Sequence, residues 1–230
     1  MVNPRELRSY IFEDDEAISP EWCKEVVARF EADDRKMVGA TVGGENPKIK
    51  QSTDLPIASY REEWNDVLMK VTSVVQKGLA DYIEYLNSEG LDRYEAIAAL
   101  VKDSCIGFPQ IQRTGKDQFY VWHHDGHINR TYTYIIYLKD VPKGVGGTTE
   151  FLCGKNVLPK AGKLVIFPSN ACYVHRGVKL KKGTKYLLTN FVYEGKPIMN
   201  NPSDQHARAD GDSETSPGEQ YPPKPENNDI

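Results

Sequence analysis

Residues 118–138 read QFYVWHHDGHINRTYTYIIYL: two runs of β-branched and aromatic side chains, QFYVWH and TYTYIIYL, flank a short polar segment. Such runs favour extended backbone, because branched and aromatic side chains pack well on a pleated surface. The same character continues outward. IGFPQIQR (106–113) precedes the pair, and TTEFLC (148–153), KLVIFP (163–168), CYVHRGV (172–178) and KYLLTNFVY (185–193) follow it, broken by glycine and proline. Seven short strands separated by turn signals predict a sandwich or barrel rather than an α/β sheet.

Before residue 104 the pattern is different. Ser19-Pro20-Glu21-Trp22 is a helix start, with Ser19 as N-cap and Pro20 in the first turn. Trp22, Val26, Val27 and Phe30 then recur at helical spacing. A glycine-containing stretch, 38–57, reads as strand-like. From about residue 60, Trp64, Val67, Leu68, Val71, Val75, Leu79, Tyr82, Ile83 and Leu86 outline a long amphipathic helix. A shorter helix is predicted over 93–102. The chain is therefore expected to be mainly β with supporting helices (α+β): residues 1–103 form a support region of the same domain, and 104–195 the core. Residues 196–230 are an acidic, proline-rich tail, too poor in aliphatic side chains to order itself.

Composition removes several classes of function. The net charge of −4 resides in that tail, which has seven acidic residues against three basic ones, while the remainder is balanced. Nothing in it suggests nucleic acid or an anionic membrane as partner. The four cysteines, Cys23, Cys105, Cys153 and Cys172, are far apart and contain no CxxC pair, unlike a secreted disulfide scaffold. No apolar segment opens the chain, and no run approaches the roughly 18 residues of a membrane span. A soluble, cytoplasmic protein is expected. Its oligomeric state is left open.

Chemistry concentrates in Trp122-His123-His124-Asp125-Gly126-His127, with His175 further on. Two imidazoles and one carboxylate on one face of Fe(II) leave positions open for an oxoacid and O₂. In an extended segment His123 and Asp125 share a side, and His124 points away. A lone H-x-D is common by chance, so the downstream residues matter. If the chain turns back near Leu180, His175 lies opposite Lys185, where a cation would meet the far carboxylate of an oxoacid; alone, Lys185 reads as an edge-strand lysine. His127 reads as a surface loop histidine or a contact near the metal.

Taken in order, Tyr120, His123, Asp125, Arg130, Tyr137-Leu138, Gly146-Gly147-Thr148-Thr149-Glu150-Phe151, Pro159, Gly162, Phe167, His175 and Lys185 resemble the catalytic domain of the prolyl 4-hydroxylases, within the 2-oxoglutarate/Fe(II)-dependent dioxygenase superfamily. Ile18–Cys23 and Lys50–Asp54 resemble the family's N-terminal part more weakly. The resemblance implies a double-stranded β-helix (jelly roll) core, and iron held by His123, Asp125 and His175. It implies 2-oxoglutarate held by Lys185 and Tyr137, with Tyr120 lining the pocket near the metal. O₂ is the other co-substrate, and the family admits ascorbate as an accessory reductant. The implied activity is hydroxylation, with release of succinate and CO₂, of a peptide or protein substrate, peptidyl proline first. Two alternatives stay open: the same chemistry on another amino-acid or protein side chain, and a non-catalytic metal-binding jelly-roll module. This chain departs from the family at Thr114, where a tyrosine is usual, and in the loop Lys143-Gly144-Val145.

Overall fold

A computed structural model describes residues 4–41, 43–92 and 94–196. The acidic tail, apart from Lys196, lies outside the described residues. Helix α1 (Pro4–Ser9) and strand β1 (Phe12–Asp14) come first; neither has a periodic sequence signal, and both are too short to show one. Helix α2 (Pro20–Ala32) starts where its sequence says. The Ser19 hydroxyl accepts the Trp22 amide at 3.3 Å, and Cys23, Val26 and Phe30 are buried. Helix α3 (Arg61–Ser88) buries the apolar stripe from Trp64 to Leu86. It is amphipathic, and no helix among the described residues is long and apolar enough to cross a membrane.

Two expectations need correction. Helix α4 (Ala96–Lys102) begins later than residue 93, because the Asp92 carboxylate accepts the amides of Ile97 at 3.1 Å and Ala98 at 3.0 Å and fixes the first turn there. The stretch 38–57 is mostly not strand. Only β2 (Met37–Val38) and β3 (Thr53–Leu55) pair in the sheet, while Thr41 and Gly44 close on each other through backbone hydrogen bonds.

The remaining strands are β4 (Ser104–Ile106), β5 (Gln110–Thr114), β6 (Tyr120–His123), β7 (Arg130–Tyr137), β8 (Thr149–Phe151), β9 (Asn156–Val157), β10 (Leu164–Pro168), β11 (His175–Gly177) and β12 (Lys185–Glu194). All seven strand-like runs after residue 104 are thus present. They form two sheets, one ordered β1-β10-β7-β12-β5-β3-β2 with β4 beside β12, the other β6-β11-β8-β9. Every pairing between named strands is antiparallel, and the two sheets make a jelly roll.

Strand β7 shows how the layers stack. Tyr132, Tyr134 and Ile136 pack with α2 and α3 in one core, and Ile135 and Tyr137 pack with Phe151, Val165 and Phe167 in a second. Alternate residues thus serve the two faces, and both faces are covered, so the run reads as almost continuously apolar. The turn into β10 requires glycine: Gly162 sits at φ +86°, where a Cβ would come within 1.9 Å of the Ile18 carbonyl oxygen.

Candidate functional site

Strands β6 and β11 are neighbours, and their register places His175 opposite His123. The imidazoles lie with ring centroids 4.2 Å apart. Each is oriented by its own backbone: His123 Nδ1 is 2.8 Å from the Val121 carbonyl oxygen, and His175 Nδ1 is 3.0 Å from that of Tyr173. A proton on Nδ1 donates to each carbonyl and leaves the Nε2 lone pair free, the tautomer a metal needs.

Asp125 follows β6 in the loop leading to β7. Its Oδ1 is 3.6 Å from His123 Nε2, and its Oδ2 is 3.6 Å from His175 Nε2. Ligand atoms of the three residues all lie within 4.8 Å of one another. Thr133, on β7, donates to Asp125 Oδ2 at 2.7 Å, and its hydroxyl is 3.0 Å from that of Ser169. The histidines therefore belong to the small sheet, while the carboxylate is tied to the large one.

Electrostatics suit a cation. Burial, then the charge of His175, pushes the His123 imidazole down to about 4. Burial alone would raise Asp125, but His175, His123 and the Thr133 hydrogen bond together hold it below the usual carboxylate value. Two imidazoles and one carboxylate, with no cysteine and no fourth protein ligand among the described residues, form an open set rather than a closed structural zinc site.

The three residues line a cavity of about 450 Å³ between the sheets. Lys185, at the start of β12, reaches into it on the same side of the strand as Leu187, with only 4% of its surface exposed. The expected hairpin between His175 and Lys185 does not exist. His175 pairs with His123 and Phe151, and Lys185 pairs with Thr114, because residues 178–184 carry the chain from the small sheet into the large one. The lysine still approaches the sheet of the two histidines from the opposite wall: a Cβ on Gly177 would be 3.7 Å from its Nζ. Among the described residues its ammonium has no hydrogen-bond or ion-pair partner, and burial lowers it to about 8.

Tyr120 also lines the cavity and stacks on His123, with centroids 3.6 Å apart and planes at 19°. Tyr137 is fully buried under the wall, and its hydroxyl bonds the Thr149 hydroxyl, itself in the wall, at 2.7 Å. Toward the mouth, Arg130 stacks on Phe191 at 3.7 Å and donates to the Asp125 carbonyl oxygen at 3.3 Å. Trp122 is 38% exposed beneath the Arg176 guanidinium, and His124 and His127 lie on the rim.

Two features escaped the sequence reading. Thr133 was hidden in an apolar run, although a threonine sharing the inward parity of Ile135 was a usable signal. The other is a buried ion pair, Lys50 Nζ to Asp54 Oδ2 at 2.6 Å, with both side chains 5% exposed. Lys50 forms part of the cavity wall, and its backbone bridges to Tyr120.

Comparison with known proteins agrees with this geometry. Residues 109–193 match the model of the 2OG-Fe(II) oxygenase superfamily. No curated protein matches the chain. Among solved structures it is similar to a viral collagen prolyl hydroxylase from Paramecium Bursaria Chlorella virus-1, at 21% identity and TM-score 0.56, over 80% of this chain and 95% of that one. A prolyl-4-hydroxylase from Pseudomonas putida has 15% identity and TM-score 0.55, over 83% and 97%. A prolyl hydroxylase from Trichoplax adhaerens, solved with a hypoxia inducible factor peptide fragment, has 14% identity and TM-score 0.61, over 84% and 87%. At these identities the likeness establishes the fold.

Proposed function

We propose that this chain, whose residues 109–193 form a 2OG-Fe(II) oxygenase domain, is an Fe(II)- and 2-oxoglutarate-dependent dioxygenase that hydroxylates peptidyl proline. The observation that carries the reading is the open set of His123, Asp125 and His175 at a cavity whose opposite wall holds the buried, unpartnered Lys185. His123 Nε2, His175 Nε2 and Asp125 would hold the iron. With 2-oxoglutarate and O₂, bound iron supplies the oxidising power: one oxygen atom enters the substrate, the other enters succinate, and CO₂ leaves.

The chain's own residues do the positioning. Lys185 offers a charge to the far carboxylate of 2-oxoglutarate, strengthened because the lysine is buried. Tyr137, through the hydroxyl cluster with Thr149, completes that end of the pocket. Tyr120 holds the His123 ring in plane, and Thr133 holds the carboxylate. A proline-containing peptide is favoured because the similar structures are prolyl hydroxylases, and Trp122, His127 and Arg130 at the mouth offer aromatic and cationic contacts to it.

The test is anaerobic Fe(II) and 2-oxoglutarate binding, followed by succinate and hydroxyproline formation when O₂ is admitted with proline-rich peptides. Wild type should form both products; His123→Ala should lose iron binding, and Lys185→Ala should lose 2-oxoglutarate binding. Wild-type protein that binds metal yet never consumes 2-oxoglutarate would refute the reading.

A further inference from the structure

One end of the barrel is a lysine pole. Three loops, 115–118, 142–147 and 178–184, are stitched together there by backbone hydrogen bonds: Asp117 N to Leu180 O at 2.6 Å, Lys181 N to Val145 O at 2.7 Å and Gly147 N to Val178 O at 3.0 Å. These loops and the adjoining end of β7 expose Lys116, Lys139, Lys143, Lys179, Lys181 and Lys182. The acidic groups in the same segments are Asp117, 3.7 Å from Lys179, and Asp140, which accepts the Ala161 amide. Among the described residues Lys116, Lys143, Lys181 and Lys182 have no ion-pair partner. The catalytic reading uses none of these lysines.

The compensating charge is in the chain itself. Residues 197–230 carry seven acidic side chains against Arg208 and Lys224. This segment leaves the barrel at the opposite end: β12 runs from Lys185, next to the pole, to Glu194, and Lys196 is held beyond it by the Asn129 side chain at 2.7 Å. The ten residues of β12 span about 30 Å. At up to about 3.3 Å per residue the chain beyond Lys196 can cover that distance from Asp210 onward, so six of the seven acidic groups come within reach of the pole. Tethering at such a span gives an effective concentration of order millimolar, enough to make weak ion pairs count together.

We propose that the acidic segment 197–230 docks on the lysine pole as an intramolecular electrostatic partner. The all-lysine composition supports that occupant over a phosphate-bearing one. Arginine's planar fork suits bidentate phosphate recognition, whereas hydrated lysine point charges suit diffuse pairing with many carboxylates. The docked segment would screen these lysines from external polyanions.

The test is zero-length carboxylate–amine coupling on the full chain, read by mass spectrometry, with the exposed Lys24, Lys48 and Lys70 as internal references. At low salt, links from tail carboxylates should concentrate at Lys143, Lys179, Lys181 and Lys182. They should fall about fivefold or more near 0.5 M salt, where the screening length is only a few ångströms. Links spread equally over the reference lysines, or found only between molecules, would overturn the proposal. A second arm replaces the seven tail acids by their amides in the full chain and measures binding to heparin and to a short DNA duplex. Binding should tighten several-fold; unchanged binding that is nevertheless lost on Lys→Gln substitution of the pole would assign that face to an external polyanion instead.

Discussion

Lys185→Met tests the electrostatics of the site through stability as well as function. Burial lowers the Lys185 ammonium from its ordinary 10.5 to about 8, with no partner to offset the loss of water. At about 1.4 kcal/mol per pKa unit, keeping that charge in the folded chain near pH 7 costs roughly 3 kcal/mol. Methionine fills nearly the same volume without the charge. The variant should therefore unfold about 1–3 kcal/mol less readily than wild type near pH 7. The sign with pH follows from linkage. Between about pH 8 and 10.5 the unfolded wild-type chain holds the Lys185 proton and the folded chain does not, so wild-type stability rises with pH over that window. The variant's advantage should shrink across the same window and vanish above it. Urea unfolding of both proteins near pH 7 and near pH 10.5 measures this directly. Meanwhile 2-oxoglutarate at a hundred times its Kd should stabilise wild type by about 2.7 kcal/mol and the variant by far less. A variant less stable than wild type near pH 7, or a difference that ignores pH, would refute an unpaired, desolvated lysine.

Three further outcomes are expected. Thr133→Val removes the donor to Asp125 Oδ2 and should weaken Fe(II) binding about 10–100-fold, with little change in global stability; an unchanged anaerobic metal titration would argue against that role. Asp54→Asn strips the buried Lys50 of its counter-charge and should destabilise by about 3–5 kcal/mol, whereas Lys50→Met combined with Asp54→Leu should recover much of the loss in thermal melts. Gly162→Ala places a Cβ against the Ile18 carbonyl oxygen at a left-handed backbone position and should cost about 2–4 kcal/mol by urea unfolding; an effect under about 0.5 kcal/mol would contradict the close approach.

Much of the molecule was legible before any coordinates. The runs from Ile106 to Tyr193 all became strands, because β-branched and aromatic runs bounded by glycine and proline have few other outlets. Helix α2 was readable from Ser19 and Pro20, and α3 from its stripe, since capping and periodicity are local. The helix over 93–102 was placed too early because a side chain four residues ahead of it, Asp92, decides where its first turn forms. The strand-like reading of 38–57 failed because alternating composition cannot tell a sheet strand from a rim segment that closes on itself at Thr41–Gly44 and touches β6 only through an isolated bridge at Lys50.

At the site the sequence named His123, Asp125, His175 and Lys185, which the fold brings to one cavity, and His123 and Asp125 could be assigned to one side by the two-residue period of extended chain. What it could not determine was which strand lies beside which. A period of two tells each side chain its face but names no neighbour, so a hairpin joining His175 to Lys185 looked natural. In the folded chain β11 and β12 lie in different sheets. His175 meets His123 by strand pairing, Thr133 reaches Asp125 from the large sheet, and Lys185 faces the cavity from its opposite wall. Those contacts exist only after two sheets close on each other, because non-local pairing is a property of the whole sheet and is written in no single segment.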